Sequence, residues 1–183
     1  MRILKYVLVI LVGIATLPLG ANSSRSNFAE VSSLIIDACA KYNFDPEWAF
    51  IIFNDESYHL RNVSTCEPKY IKKYGKCIRA YGVPQILYKT AIAPEVCSVA
   101  QKTGVAFFGQ EEELLKNEVS IPLGVIYLAH LKKIYKGNME KVLSHYKSGS
   151  TTYAVPYAKL YPKYQAFSAY NTAYRKARLK SKK

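Results

Sequence analysis

After position 140 the chain of 183 residues carries no aspartate or glutamate, so no site built on a carboxylate can lie in that C-terminal stretch. It has no Cys-x-x-Cys pair, and His59, His130 and His145 show neither His-Glu-x-x-His nor zinc-finger spacing. Zinc centres need such ligand spacings, so no zinc site is expected. No segment repeats, which argues against a solenoid. No stretch combines sustained period-two alternation with hairpin turn residues, so few strands are expected. No apolar run reaches the roughly 20 residues that a membrane-spanning helix needs.

Half of the residues are apolar and 13% are aromatic, which is ample for a core and excludes a mainly disordered basic chain. The length fits one compact domain, with or without a tail. The 26 basic and 13 acidic side chains leave a net charge of +13. Residues 141 to 183 hold ten of the basic groups and no acid, which leaves 16 basic and 13 acidic groups before them. The excess charge is therefore local.

At the other end, Arg2 and Lys5 precede an apolar stretch from Tyr6 to Leu19, interrupted only by Gly13, Thr16 and Pro18 and followed by Gly20 and Ala21. Residues 1–21 read as a secretory signal peptide, with an uncleaved anchor as the alternative. The remainder would be exported, to a periplasmic or secreted location, with transient membrane contact through this segment only. Export makes the four cysteines informative, because an oxidising compartment favours disulfides. Three connectivities are open. The favoured one joins Cys66 to Cys77 around a short Lys-rich loop, and Cys39 to Cys97 as a tie between two helices.

The pattern between the termini is helical. Phe28, Val31, Leu34, Ile35, Ala38 and Cys39 recur at three- and four-residue spacing and predict an amphipathic helix ending near Tyr42 or Asn43. Asp45 and Pro46 read as an N-cap and first helical position. The helix they open, Trp48 through Phe53, is apolar on every side and is expected to be buried on every side. Gly82-Val83-Pro84-Gln85 reads as a second start, with Pro84 as first helical position of a segment reaching toward Cys97. Ile121, Val125, Leu128 and Tyr135 predict a helix stopped at Gly137-Asn138, and Met139 to about Tyr146 a short one stopped before Gly149. A last helix is expected from about Pro162 to Lys176. Tyr153, Tyr157, Tyr161 and Tyr164 fall at helical spacing, but Pro156 and Pro162 argue against one continuous helix there.

Glu56 is the candidate proton donor. It follows the apolar helix with Ile52 and Phe53 one turn behind it, so its carboxyl is expected to be partly desolvated, which penalises the anion and raises its pKa. Asp55 is its neighbour, but adjacent helical residues point about 100° apart, so the two are not expected to form a carboxylate dyad.

Three ordered blocks stand out: Ala49 through Tyr58 with its Glu56-Ser57 pair, Gly82-Val83-Pro84-Gln85 through Ala91, and Asn117 through Ala129 continuing by Gly137-Asn138 to His145-Tyr146-Lys147-Ser148-Gly149. Together they resemble the soluble lytic transglycosylase family of the lysozyme-like superfamily. The resemblance implies a mainly α, lysozyme-like helical domain with a disulfide-bonded loop insertion, over residues 22–176, followed by a basic tail at 177–183. It implies Glu56 as the sole catalytic acid. It also implies Ser57, Gln85, Tyr146 and, more loosely, Tyr164 as residues around the sugar. Pro84 stands where the family usually has methionine and Lys147 where it has asparagine, so sugar contacts there depart from the pattern.

The implied activity is cleavage of the β-1,4 bond between N-acetylmuramic acid and N-acetylglucosamine in peptidoglycan, with closure of a 1,6-anhydro ring and no cofactor. Glycan strands are the implied partner, and a secretion, conjugation or phage machine is a candidate one. A hydrolytic lysozyme and a non-catalytic wall-binding protein of the same fold are the alternatives. The basic C-terminal stretch suits anionic wall polymers better than nucleic acid once export is assumed.

Overall fold

The computed structural model describes residues 23–57, 60–66, 71–73 and 75–151. The signal segment, His59, Tyr164, the expected helix at 162–176 and the basic tail lie outside them.

Helix α1 spans Ser23–Tyr42 and α2 spans Pro46–Ser57. Between them Asn43 takes a left-handed φ of 54°, and the Glu47 amide donates to Asp45 Oδ1 at 2.9 Å, the N-cap bond that the Asp45-Pro46 pair predicts. Three short strands follow, β1 Ser64–Cys66, β2 Arg79–Tyr81 and β3 Ile86–Leu87. They pair antiparallel in the order β1-β2-β3, with Thr65 opposite Ala80 and Tyr81 opposite Ile86. Then come α3 Tyr88–Ala91, α4 Pro94–Lys102, a 3-10 turn at Glu111–Leu115, α5 Asn117–Ile134 and α6 Met139–Ser148. The architecture is mainly helical with few strands, as the sequence implies. Among the described residues no helix is long and apolar enough to cross a membrane.

Two hydrophobic clusters share α5 as a common wall. On one side Ile121, Val125, Leu128 and Leu131 pack with Val31 and Ile35 of α1, Phe50 and Phe53 of α2, and Val142 and Leu143 of α6. On the other side Val119, Leu123 and Ile126 pack with Tyr81 and Ile86 of the sheet, Ala91, Val96, Ala100, Phe107 and Leu114. Helix α5 is thus packed on two sides, and it starts at Asn117, four residues before the start that periodicity suggests. Its interior Pro122 deprives the helix of one backbone donor, yet the helix runs on through it to Ile134. Each large side chain fully sequestered here, such as Phe53, contributes roughly 1.5–3 kcal/mol relative to exposure.

Two expectations need correction. Gly82 to Gln85 does not open a helix with Pro84 at its first position; it is the turn joining β2 to β3, and the next helices begin at Tyr88 and Pro94. Gly82 at φ 70° and Gln85 at φ 51° bend the chain back on itself in a way a helix start does not allow. The second concerns the cysteines. Cys66, the last residue of β1, and Cys77, two residues before β2, are bridged, with Cα atoms 5.6 Å apart. Cys39 and Cys97 are free. The reason is packing: Cys39 is swallowed by the first cluster while Cys97 packs against the second. Burial, with the charge of Asp45 adding to it, pushes the Cys39 thiol up, so its thiolate is disfavoured.

The turn at 82–85 rests on the small residues of α5. A Cβ added at Gly82 would lie 2.5 Å from Ser120 Oγ and 2.7 Å from the Leu114 carbonyl oxygen. One helical turn further on, a Cβ at Gly124 would lie 2.5 Å from Pro84 Cβ and 2.9 Å from Phe53 Cζ.

Gly124→Ala should therefore destabilise by about 1–3 kcal/mol through overpacking, although glycine to alanine inside a helix otherwise stabilises. Thermal denaturation should show a melting point lower by roughly 2–4 °C for each kcal/mol lost. For the cysteines, alkylation of unfolded but unreduced protein should label Cys39 and Cys97 only, and peptide mapping should recover Cys66 joined to Cys77.

Candidate active site

Helix α2 turns from apolar to polar at its last turn and so delivers Asp55 and Glu56 to the surface. Glu56 faces a cleft of ≈ 260 Å³ whose walls include Gln85, Lys89, Tyr127, His145, Tyr146 and Lys147. Behind it lie Ile52 and Phe53, both fully buried. Its side chain is only 18% exposed and its Oε1 atom is buried. This is the partly desolvated carboxyl that the residue order predicts.

Opposite stands the last turn of α6. That helix is held at its start by Asn138, whose side chain accepts from the Lys141 amide at 3.1 Å, and stopped by Gly149 in a left-handed conformation. Within that turn Tyr146 leans its ring on Tyr127 at 5.5 Å and Phe53 at 6.2 Å between centroids, and its hydroxyl donates to the Pro84 carbonyl oxygen at 2.8 Å. Burial, then the nearby Glu56 charge, then Tyr127 hold the phenol well above its ordinary range. Tyr146 is consequently a neutral donor at any working pH and cannot serve as a base. Burial also pushes the Tyr127 phenol up to about 12. His145 pairs its Nδ1 with the Tyr135 hydroxyl at 2.8 Å, and desolvation lowers its pKa below the ordinary histidine value.

Gln85 lines the cleft, but its amide is turned inward. Its Nε2 donates to the carbonyls of Val63 at 2.9 Å and Gly82 at 2.7 Å, while its Oε1 accepts from the Thr65 hydroxyl. Both donors are spent on the strand connections, so Gln85 braces the wall. Ser57 is 2% exposed, its hydroxyl donates to the Phe53 carbonyl at 2.6 Å, and it is not among the described residues that line the cleft. As the last residue of α2 it points into the protein while Glu56, one position earlier, points out.

Lys147 is the residue whose role the sequence alone does not disclose. Its Nζ contacts Asp55 Oδ2 and lies 3.9 Å from Glu56 Oε1, bridging two residues 92 and 91 positions away. No local pattern could announce a pair so distant. Among the described residues no group of His, Cys, Asp and Glu is placed to hold a metal ion.

The family model for the transglycosylase SLT domain matches residues 33–182 of the chain. The chain belongs to this family. No match was found among curated proteins or among solved structures. Membership supports lytic transglycosylase-type activity on peptidoglycan. The match runs from α1 past the end of α6, so every residue named in the cleft belongs to the SLT domain.

Because Gln85 braces the wall of the SLT cleft, Gln85→Ala should lower stability and activity together. The loss of stability should be about 1–3 kcal/mol for the buried groups left without a partner. Paired melting curves and turbidity assays on sacculi check this: activity lost at unchanged stability would instead mark a direct sugar contact.

Proposed function

We propose that the protein is a peptidoglycan lytic transglycosylase in which Glu56 alone performs both proton transfers. The observation that carries this reading is that, among the described residues, Glu56 is the only carboxylate that lines the cleft. Hydrolytic glycosidases of the usual kind work with two carboxyl groups, one as acid and one as nucleophile or base. Asp55, the nearest second candidate, is engaged by Lys147 and does not line the cleft.

In the proposed reaction protonated Glu56 gives its proton to the glycosidic oxygen as the bond from C1 of N-acetylmuramic acid breaks, and N-acetylglucosamine leaves with a free 4-hydroxyl. The C6 hydroxyl of the same muramic residue then attacks C1. The Glu56 carboxylate accepts the hydroxyl proton, which closes the 1,6-anhydro ring and returns the acid to its starting state. This is general acid followed by general base catalysis by one group. The hydrophobic floor beneath Glu56 favours its protonated form, and Tyr146, held neutral, supplies a rigid aromatic wall for a sugar face. Of the other positions proposed around the sugar, Tyr164 rests on the motif alone.

Export through the N-terminal segment and action at the cell wall, periplasmic or outside the cell, belong to the same proposal. The ten basic groups after position 140 would raise the local concentration of the enzyme at an anionic wall, an effect that weakens with salt.

The test is mass spectrometry of purified sacculi after digestion. The wild type should release anhydromuropeptides, and Glu56→Gln should lose roughly 10²-fold or more of the rate with its melting point kept. Products with reducing ends would establish a hydrolytic lysozyme, and binding without cleavage a wall-binding protein.

A further inference from the structure

The C-terminal, partly negative ends of two helices border the cleft that Glu56 faces. Glu56 sits in the last turn of α2, the last turn of α6 lines the same cleft, and Asp55 adds a full negative charge beside Glu56 in the chain. Each of these disfavours a second anion. Among the described residues that line the cleft with Glu56, the other titratable and charged groups are Lys89 from α3, Tyr127 from α5, and His145, Tyr146 and Lys147 from α6. Tyr127 and Tyr146 are held neutral by burial, and desolvation disfavours the charged form of His145. Lys147 approaches both carboxylates, touching Asp55 and standing 3.9 Å from Glu56 Oε1. Its side chain is 29% exposed and that of Asp55 10%, so water only partly screens them.

We propose that Asp55 and Lys147 form a fixed charge pair that sets the protonation equilibrium of Glu56, Lys147 as counter-cation and Asp55 as the anchor that holds it in place. Both are positioning residues, acting through Glu56. The inference builds on Glu56 as the proton-transfer group, but its first test does not depend on activity. Lys147 favours the carboxylate form, the one that must accept the C6 hydroxyl proton, and opposes the hydrophobic floor and helix ends that favour the acid. A group serving as donor and then as acceptor in one turnover works best when neither form is strongly preferred. The lysine thus answers the excess negative field that the two helix ends create.

The two partners act in opposite directions, which makes the proposal sharp. In Lys147→Gln a cation beside Glu56 is lost while Asp55 keeps its charge, so Glu56 should hold its proton to higher pH. In Asp55→Asn an anion beside Glu56 is lost while Lys147 keeps its charge, so Glu56 should lose its proton at lower pH. Titration of the Glu56 side-chain carboxyl by ¹³C NMR in the full chain should show its midpoint raised by about half a unit or more in the first variant and lowered by a similar amount in the second. Lys147→Arg, which keeps the charge, should restore the wild-type midpoint. The alkaline limb of kcat/KM on sacculi should move with the midpoint in each case. Midpoints that stay put, or that move the same way in both variants, overturn the proposal. An unmoved midpoint with a raised KM in Lys147→Gln overturns it too, and makes Lys147 a substrate contact. Loss of cleavage in Glu56→Gln is the separate control: should that variant remain fully active, the reading of Glu56 as proton-transfer group fails, whatever the titrations show.

Discussion

The close seating of the 82–85 turn on α5 is the constraint on which the rest of the site depends. Gly82 against Ser120 and Pro84 against Gly124 leave no room for a further methyl group, so turn and helix are fixed in register to within a fraction of an ångström. From that contact the geometry propagates outward. The Pro84 carbonyl, presented by the seated turn, receives the Tyr146 hydroxyl and so places α6. Phe53, which also touches the Gly124 position, places α2. Glu56 and Lys147 come from these two helices, which makes their approach a property of the turn more than of either helix alone.

The same junction explains why the cleft can be built from secondary structure that is individually modest. A three-stranded sheet with strands of two or three residues has little stability of its own. Here it is clamped by the amide of Gln85, by the Cys66-Cys77 bridge and by the second hydrophobic cluster beneath Tyr81 and Ile86. Buried polar groups with every donor engaged make a wall specific in shape, because any shift strands a donor. The sheet thus serves as a rigid lip to the cleft.

What could be read from the residues follows the range of the forces involved. Helix ends marked by local chemistry were legible: Asp45-Pro46 before α2, Gly137-Asn138 before α6 and Gly149 after it. So were the buried character of α2 and the placing of Glu56 on an apolar floor, since both depend on neighbours one turn away. The turn at 82–85 was not, because glycine followed two positions later by proline suits a helix start as well as a tight reversal. Only the distant Ser120 and Gly124 decide between them. The inward-facing amide of Gln85, the buried hydroxyl of Ser57 and the separation of Cys39 from Cys97 are tertiary outcomes of the same sort. Lys147 is the extreme case: the sequence shows only that it departs from the family motif, and the structure brings it to two carboxylates.

Helix α6 begins at a capped residue and ends at a left-handed glycine, with ten residues between. Tyr146 and Lys147 are neighbours near its far end, about 100° apart around its axis, one aimed at a carbonyl and the other at a pair of acids. The helix is therefore an angular gauge as much as a wall. Adding or deleting one residue between Asn138 and Tyr146 would rotate both side chains off their marks at once, whereas the same change outside those bounds would leave their bearings intact. Variation in length is confined by this geometry to the segments beyond the gauge.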